Sequence, residues 1–160
     1  MLISLTLFVM LVLANGTPVV IAKVLRRRWS APVDAGLYWF DGRPLFGKSK
    51  TWRGVVSGTL CCALFAMVTE HEFVFGLLFG LLALAGDLLS SFIKRRLELK
   101  PSARMSWLDQ VPEAAIPIFY ALAKGVVSAW EALAIVVFFA LSNMWISPLL
   151  YRLGIRRQPH

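Results

Sequence analysis

At 160 residues the chain has the size of one domain, and its 58% apolar content with a mean hydropathy of +0.69 exceeds what a soluble domain carries. A soluble fold would have to bury nearly every helix on all sides, which so short a chain cannot do because too much of it must be surface. The net charge of +8 does not point to nucleic acid, because the basic residues gather in loops beside apolar runs, where they orient a protein in a bilayer and meet anionic lipid or phosphate.

The expectation is therefore an all-α, polytopic membrane protein. It forms one domain over residues 1–160, with about five transmembrane helices at roughly 2–25, 52–69, 73–93, 111–127 and 129–153. The first run ends at Lys23 and Arg26 to Arg28. A secretory signal carries its charge before the apolar run, so this one reads as an uncleaved span with its N-terminus outside. Asn15, Gly16 and Pro18 interrupt it. Either Pro18 kinks the helix, or the helix loosens there and lends Asn15 to a buried polar site.

Trp29 to Thr51 is a polar loop punctuated by Pro32, Gly36, Gly42, Pro44 and Gly47. Its aromatics Trp29, Tyr38, Trp39 and Phe40 suit a membrane interface. Gly42 to Ser49 fits the pattern GxxxxGK[ST], but the strand and sheet that a P-loop needs are not available between two membrane spans. Lys48, Ser49, Lys50, Thr51 and Arg53 gather where the second helix starts, and a helix N-terminus with nearby cations is a natural phosphate site. Anchoring of basic residues at the membrane surface is the alternative.

The second span holds the adjacent Cys61 and Cys62, which read as small core residues with no disulfide or metal framework. In the turn Thr69 to Glu72, His71 is not expected to bind metal, and neither His71 nor His160 is placed for general-base work. The third span carries Gly or Ala at 76, 80, 83, 85 and 86, which permits close helix packing. It also carries Asp87, and an ionisable residue inside a membrane helix marks a functional site by default. Asp87, Ser90, Ser91 and Lys94 follow i, i+3, i+4, i+7 and share a face. A snorkelling pair of Asp87 with Lys94 or an arginine would explain Asp87, but not the two serines. After a short basic loop comes a second carboxylate, Asp109. Two carboxylates with hydroxyls suit Mg²⁺ shared with substrate phosphates.

With the N-terminus outside, both polar loops and both acids fall on the cytoplasmic side, and Lys124 is the one basic residue left outside. The cytoplasmic set includes Lys100, Arg104, Arg152, Arg156 and Arg157.

The stretches Ala14-Asn15-Gly16-Thr17-Pro18, Pro32-Val33-Asp34-Ala35-Gly36, Asp41 to Gly54, Gly86 to Arg96 and Leu108-Asp109-Gln110 together resemble the CDP-archaeol synthase family. The resemblance implies a small membrane enzyme that makes a CDP-lipid and pyrophosphate from CTP and a lipid glycerol phosphate, with Mg²⁺ and a cavity facing the cytoplasm. It implies Asp87, Asp109 and Lys94 as catalytic residues, with Asp87 and Asp109 holding the metal. Substrate binding falls to Asn15, Asp41, Lys48, Ser49, Lys50, Thr51, Arg53, Ser90, Ser91, Arg95, Arg96 and Gln110. Where the family often reads Asp-Gln-Leu-Asp, this chain has Pro112 in place of the second acid and Glu113 next to it. Glu113 either substitutes as a metal ligand or the site holds fewer ions. The lipid acceptor, ether or ester linked, stays open, as does the oligomeric state. A catalytically inactive lipid- or nucleotide-binding membrane scaffold is the alternative. A small transporter is the other, though no internal repeat is visible.

Overall fold

The computed structural model describes residues 2–99 and 106–152, with side chains for 2–99 and 108–143. Lys100, Arg104, Arg156 and Arg157 of the expected cytoplasmic set lie outside the described residues, as does the side chain of Arg152. Five helices follow one another: α1 (Leu2–Leu25), α2 (Trp52–Val68), α3 (Phe73–Arg96), α4 (Ser106–Ala123) and α5 (Ala129–Arg152). Among the described residues no strand forms. The loop between α1 and α2 holds two isolated antiparallel bridges, Pro32 with Thr51 and Tyr38 with Pro44. The sheet a P-loop requires is thus missing around Gly42 to Ser49.

Each helix packs on its neighbour in sequence, and α3 touches α1, α2 and α4. By length and composition α1 and α3 can each cross a membrane. The outward faces are apolar too: Leu5, Val12, Val56, Leu64, Phe119 and Phe138 are exposed. A surface of this kind is at home in hydrocarbon rather than water.

The small residues of α3 do what their spacing suggests. A methyl group placed on Gly76 would come 2.7 Å from the Cys62 carbonyl, and one on Gly80 would come 2.9 Å from the Cys62 Cβ. Here α2 and α3 meet backbone to backbone. Farther along, a methyl on Gly86 would stand 2.2 Å from the Pro112 carbonyl oxygen, so α4 crosses α3 at the residue before Asp87.

Three expectations are corrected. α1 runs unbroken through Asn15 to Pro18, and the Asn15 amide donates to the Leu11 carbonyl of its own helix at 3.1 Å. The helix is not loosened there, and Asn15 is engaged locally. Secondly, α3 extends through Lys94, Arg95 and Arg96, which form its last turn rather than a loop. Cations suit that end because they face the negative pole of the helix dipole. Lastly, α4 begins at Ser106, so Asp109 sits in its first turn, where an acid faces the positive pole, instead of in a connecting loop.

Candidate active site

The loop from 26 to 51 is built around a buried carboxylate, Asp34, whose surface is only 5% exposed. Its Oδ2 accepts the backbone N–H groups of Phe46 at 3.0 Å and Gly47 at 2.8 Å, and its Oδ1 accepts that of Gly36 at 3.0 Å. Burial alone would push this carboxyl up, but the N–H donors of Gly47, Gly36 and Phe46 outweigh it and hold the group below its ordinary range. Gly36 and Gly47 both take positive φ, 79° and 91°, which lets the backbone turn its N–H groups inward at little steric cost. The loop ends are stitched by Val33 N–H to Lys50 O at 2.8 Å and Trp52 N–H to Ala31 O at 3.1 Å. Arg53 Nη1 donates to the Arg26 carbonyl at 2.8 Å, tying the end of α1 to the start of α2. Together these bonds fix where Lys50 leaves the backbone.

Lys50 reaches across to α3. Its Nζ lies 2.6 Å from both Asp87 carboxylate oxygens. The partner of Asp87 is therefore a loop lysine rather than Lys94, which stands two turns along the same helix. Lys94 pairs instead with α4, its Nζ 2.6 Å from Asp109 Oδ1. That contact joins α3 to α4 through a close charge pair. Both pairs are mostly shielded from solvent, with side-chain exposures of 24% and 22% for Lys50 and Asp87, and 12% and 19% for Lys94 and Asp109. At such depth each charge needs its partner, and removing one leaves the other uncompensated. The backbone nitrogen of Glu113, four residues after Asp109 on α4, would stand 2.8 Å from a methyl on Gly86, the neighbour of Asp87. The Gly86–Pro112 approach accounts for this: where the backbones touch, the next residues of each helix face one another.

Ser90 and Ser91 are almost closed to solvent, and the Ser90 hydroxyl donates to the Asp87 carbonyl at 2.9 Å. Gln110 is buried, with its Oε1 lacking a hydrogen-bond donor. Among the described residues no three His, Cys, Asp or Glu side chains are gathered tightly enough to grip a metal ion as they stand. The donor set is nevertheless of the kind a hard cation takes: Asp87 and Asp109, with Glu113 beside them, offer carboxylate oxygens that lysines balance here.

The end of α3 is clamped to the loop. Arg96 donates to Asp41 Oδ1 at 2.5 Å and to the Pro44 carbonyl at 2.6 Å, and its guanidinium lies 4.9 Å from the centre of the Phe92 ring. Arg43 pairs with Glu98 and donates to the Arg96 carbonyl. Arg95 Nη1 donates to the Leu99 carbonyl at 3.0 Å. The expected phosphate cluster is thus divided. Lys50 faces Asp87, Arg53 holds backbone, Thr51 caps α2 with no side-chain bond, and Lys48 and Ser49 point to solvent. His71 sits in the turn before α3, its Nδ1 2.7 Å from the Thr69 carbonyl, outside this cluster.

Sequence reading gave no role to Asp34, Arg43 or Glu98. The signal for Asp34 was available: an Asp two residues before a glycine is an Asx-turn pattern. Nothing in sequence linked Arg43 to Glu98, which only the meeting of loop and helix brings together.

The CarS-like CDP-archaeol synthase family profile matches residues 1–71 and 65–160. A CDP-archaeol synthase of Thermofilum pendens is 34% identical over 91% of this chain and 74% of its own length. One of Pyrococcus furiosus is 31% identical over 91% of this chain and 90% of its own. A solved structure described as an intramembrane enzyme for archaeal membrane lipid biosynthesis superposes with a TM-score of 0.71 at 28% identity, covering 88% of this chain and 89% of that one.

Proposed function

Because the chain belongs to the CDP-archaeol synthase family, we propose that it is a membrane-embedded lipid-phosphate cytidylyltransferase: it takes CTP and a lipid glycerol phosphate and yields a CDP-lipid and pyrophosphate. The observation that supports this best is the crossed arrangement of two half-buried lysine–carboxylate pairs, Lys50–Asp87 and Lys94–Asp109, contributed by the loop, α3 and α4. A site for two phosphorylated substrates needs cations for the phosphates and acids for their counter-ion, and here both are held side by side. All five helices span the bilayer in this reading, with the N-terminus outside and the paired charges facing the cytoplasm, where CTP is found.

In the reaction an oxygen of the lipid phosphate attacks the α-phosphorus of CTP, and the bond to the β-phosphate oxygen breaks, releasing pyrophosphate. Mg²⁺, held by Asp87 and Asp109 with Glu113 beside them, would supply charge neutralisation at the phosphate oxygens. Lys50 and Lys94 stabilise the negative charge that develops during transfer, and Arg95 and Arg96 add positive potential at the end of α3. Phosphoryl-type transfer depends on positioning and charge more than on a strong base, which agrees with a site built without histidine.

The test uses purified protein in nanodiscs with Mg²⁺ and labelled CTP, offered ether- and ester-linked lipid phosphates. CDP-lipid and pyrophosphate should form, and Asp87→Asn should slow the release of both by at least about a hundredfold. Folded protein that forms no product with any acceptor would replace this reading with that of a lipid-binding scaffold. Product formation that persists when Mg²⁺ is chelated would remove the metal from the scheme.

A further inference from the structure

The hairpin Leu37–Leu45 carries the most exposed aromatic cluster among the described loop residues: Leu37, Tyr38 and Trp39 are all exposed and Phe40 is 97% exposed. Tyr38 bridges to Pro44 and Trp39 N–H donates to Arg43 O at 2.7 Å, so the tip is an ordered turn. Large apolar groups held out on a stiff support need a partner.

The hairpin's position on α3 identifies that partner. The Trp39 ring meets Phe92 edge to face at 5.5 Å, and Arg96 joins the base of the hairpin to the same helix through Asp41 and Pro44. Phe92 lies in the last apolar turn of α3, directly before the charged turn Lys94–Arg96. Leu89, one turn below Phe92 on the same side, is exposed along the helix flank. The tip therefore lies beside the helix at the level where apolar sequence gives way to charge, and not above it in water. That level is the boundary between acyl chains and headgroups, which Trp and Tyr favour. Exposed cations on the same loop, Arg26, Arg27, Arg28 and Lys48, complement an anionic headgroup layer.

We propose that the hairpin tip Leu37–Phe40 docks into the headgroup layer of the bilayer beside α3, and that its partner is an anionic lipid surface. Both ends of this docked segment bear on the site. Arg96 couples it to α3, and the same loop continues to Lys50, which faces Asp87.

The test places a nitroxide on Phe40→Cys in vesicles of phosphatidylcholine and phosphatidylglycerol in equal parts. The unsubstituted chain is labelled in parallel as a blank for Cys61 and Cys62. Phe40 touches little protein, so the substitution leaves the fold intact. Collisions with oxygen, which concentrates in the bilayer, should exceed those with a water-soluble nickel chelate severalfold. Nickel-dominated collisions would place the tip in water and overturn the proposal. Exclusion of both reagents would place it against protein, a second copy included, and would also overturn it. As an independent reading, headgroup-brominated lipid should quench the tryptophan emission of the unsubstituted chain more than that of Trp39→Phe, and equal quenching would count against docking.

Discussion

Along the α2–α3 seam, backbone meets backbone with almost nothing between, because Gly76 and Gly80 offer no side chain to Cys62, Ala63 and Ala66. Around the 26–51 loop the chain is held by charge: Asp34 gathers three N–H groups, Arg96 grips Asp41, and Lys50 reaches Asp87. The first device is insensitive to salt and pH but intolerant of added atoms. The second tolerates added atoms at its exposed positions but fails when a charge is removed. A membrane protein of this size uses the first to keep its helices in register and the second to hold its loop against one end of them.

The sharpest way to probe the charged half is Asp87→Asn. We expect turnover to fall by roughly 10²–10³-fold, the scale seen when a group stabilising transition-state charge is lost. Helix content should hold while the thermal midpoint falls, because Lys50 is left without its compensating charge, so activity and circular dichroism measured on one preparation check both halves of the statement. Next comes Asp34→Ala, which leaves the N–H groups of Phe46, Gly47 and Gly36 without their acceptor. A loss of about 1.5–3 kcal/mol is expected for bonds to a charged group, read as faster protease cleavage between residues 30 and 50. The pH sense follows from the lowered carboxyl. A carboxyl whose folded value is depressed stabilises fully above its ordinary value of 3.8 and ceases to do so as pH falls through the lower folded value. Cleavage of the loop should accelerate only in that acid window, and acceleration near neutrality would break the comparison.

For the close-packed half, Gly76→Val should cost about 1–3 kcal/mol by overpacking, measured as a lower midpoint of unfolding in detergent. The cost should not change with salt, and a salt-dependent loss would show that charge also holds the seam. The smallest effect belongs to Lys48→Ala, an exposed cation on the loop. A change within about 0.5 kcal/mol in stability is expected, with CTP titration showing whether Lys48 contributes to binding.

Much of the helical frame could be read from the sequence because apolar runs and small-residue spacing are local signals. The shared face of Asp87, Ser90, Ser91 and Lys94 was legible for the same reason: it is a matter of helical period. The pairing was not legible. Asp87 could have met Lys94 on its own helix, and the structure instead gives it Lys50, 37 residues earlier. That choice depends on how the loop folds around Asp34, and a buried carboxylate accepting backbone N–H groups leaves only a faint mark in sequence. The start of α4 was set too late because the apolar run begins near Val111, whereas the helix includes the polar turn from Ser106 that carries Asp109.

The bonds that close the 26–51 loop also suggest an order of assembly. Arg53 to Arg26, Trp52 to Ala31 and Val33 to Lys50 all join residues that emerge before α3 is made. The first two helices can therefore tie their own connection while the rest of the chain is still being synthesised. Lys50 is left with a charge to be matched only when Asp87 arrives, as Asp41 and Arg43 wait for Arg96 and Glu98. The nascent protein would then hold a preformed receptor for its third helix, and a chain stopped after Val68 should already protect the 31–52 stretch from proteolysis.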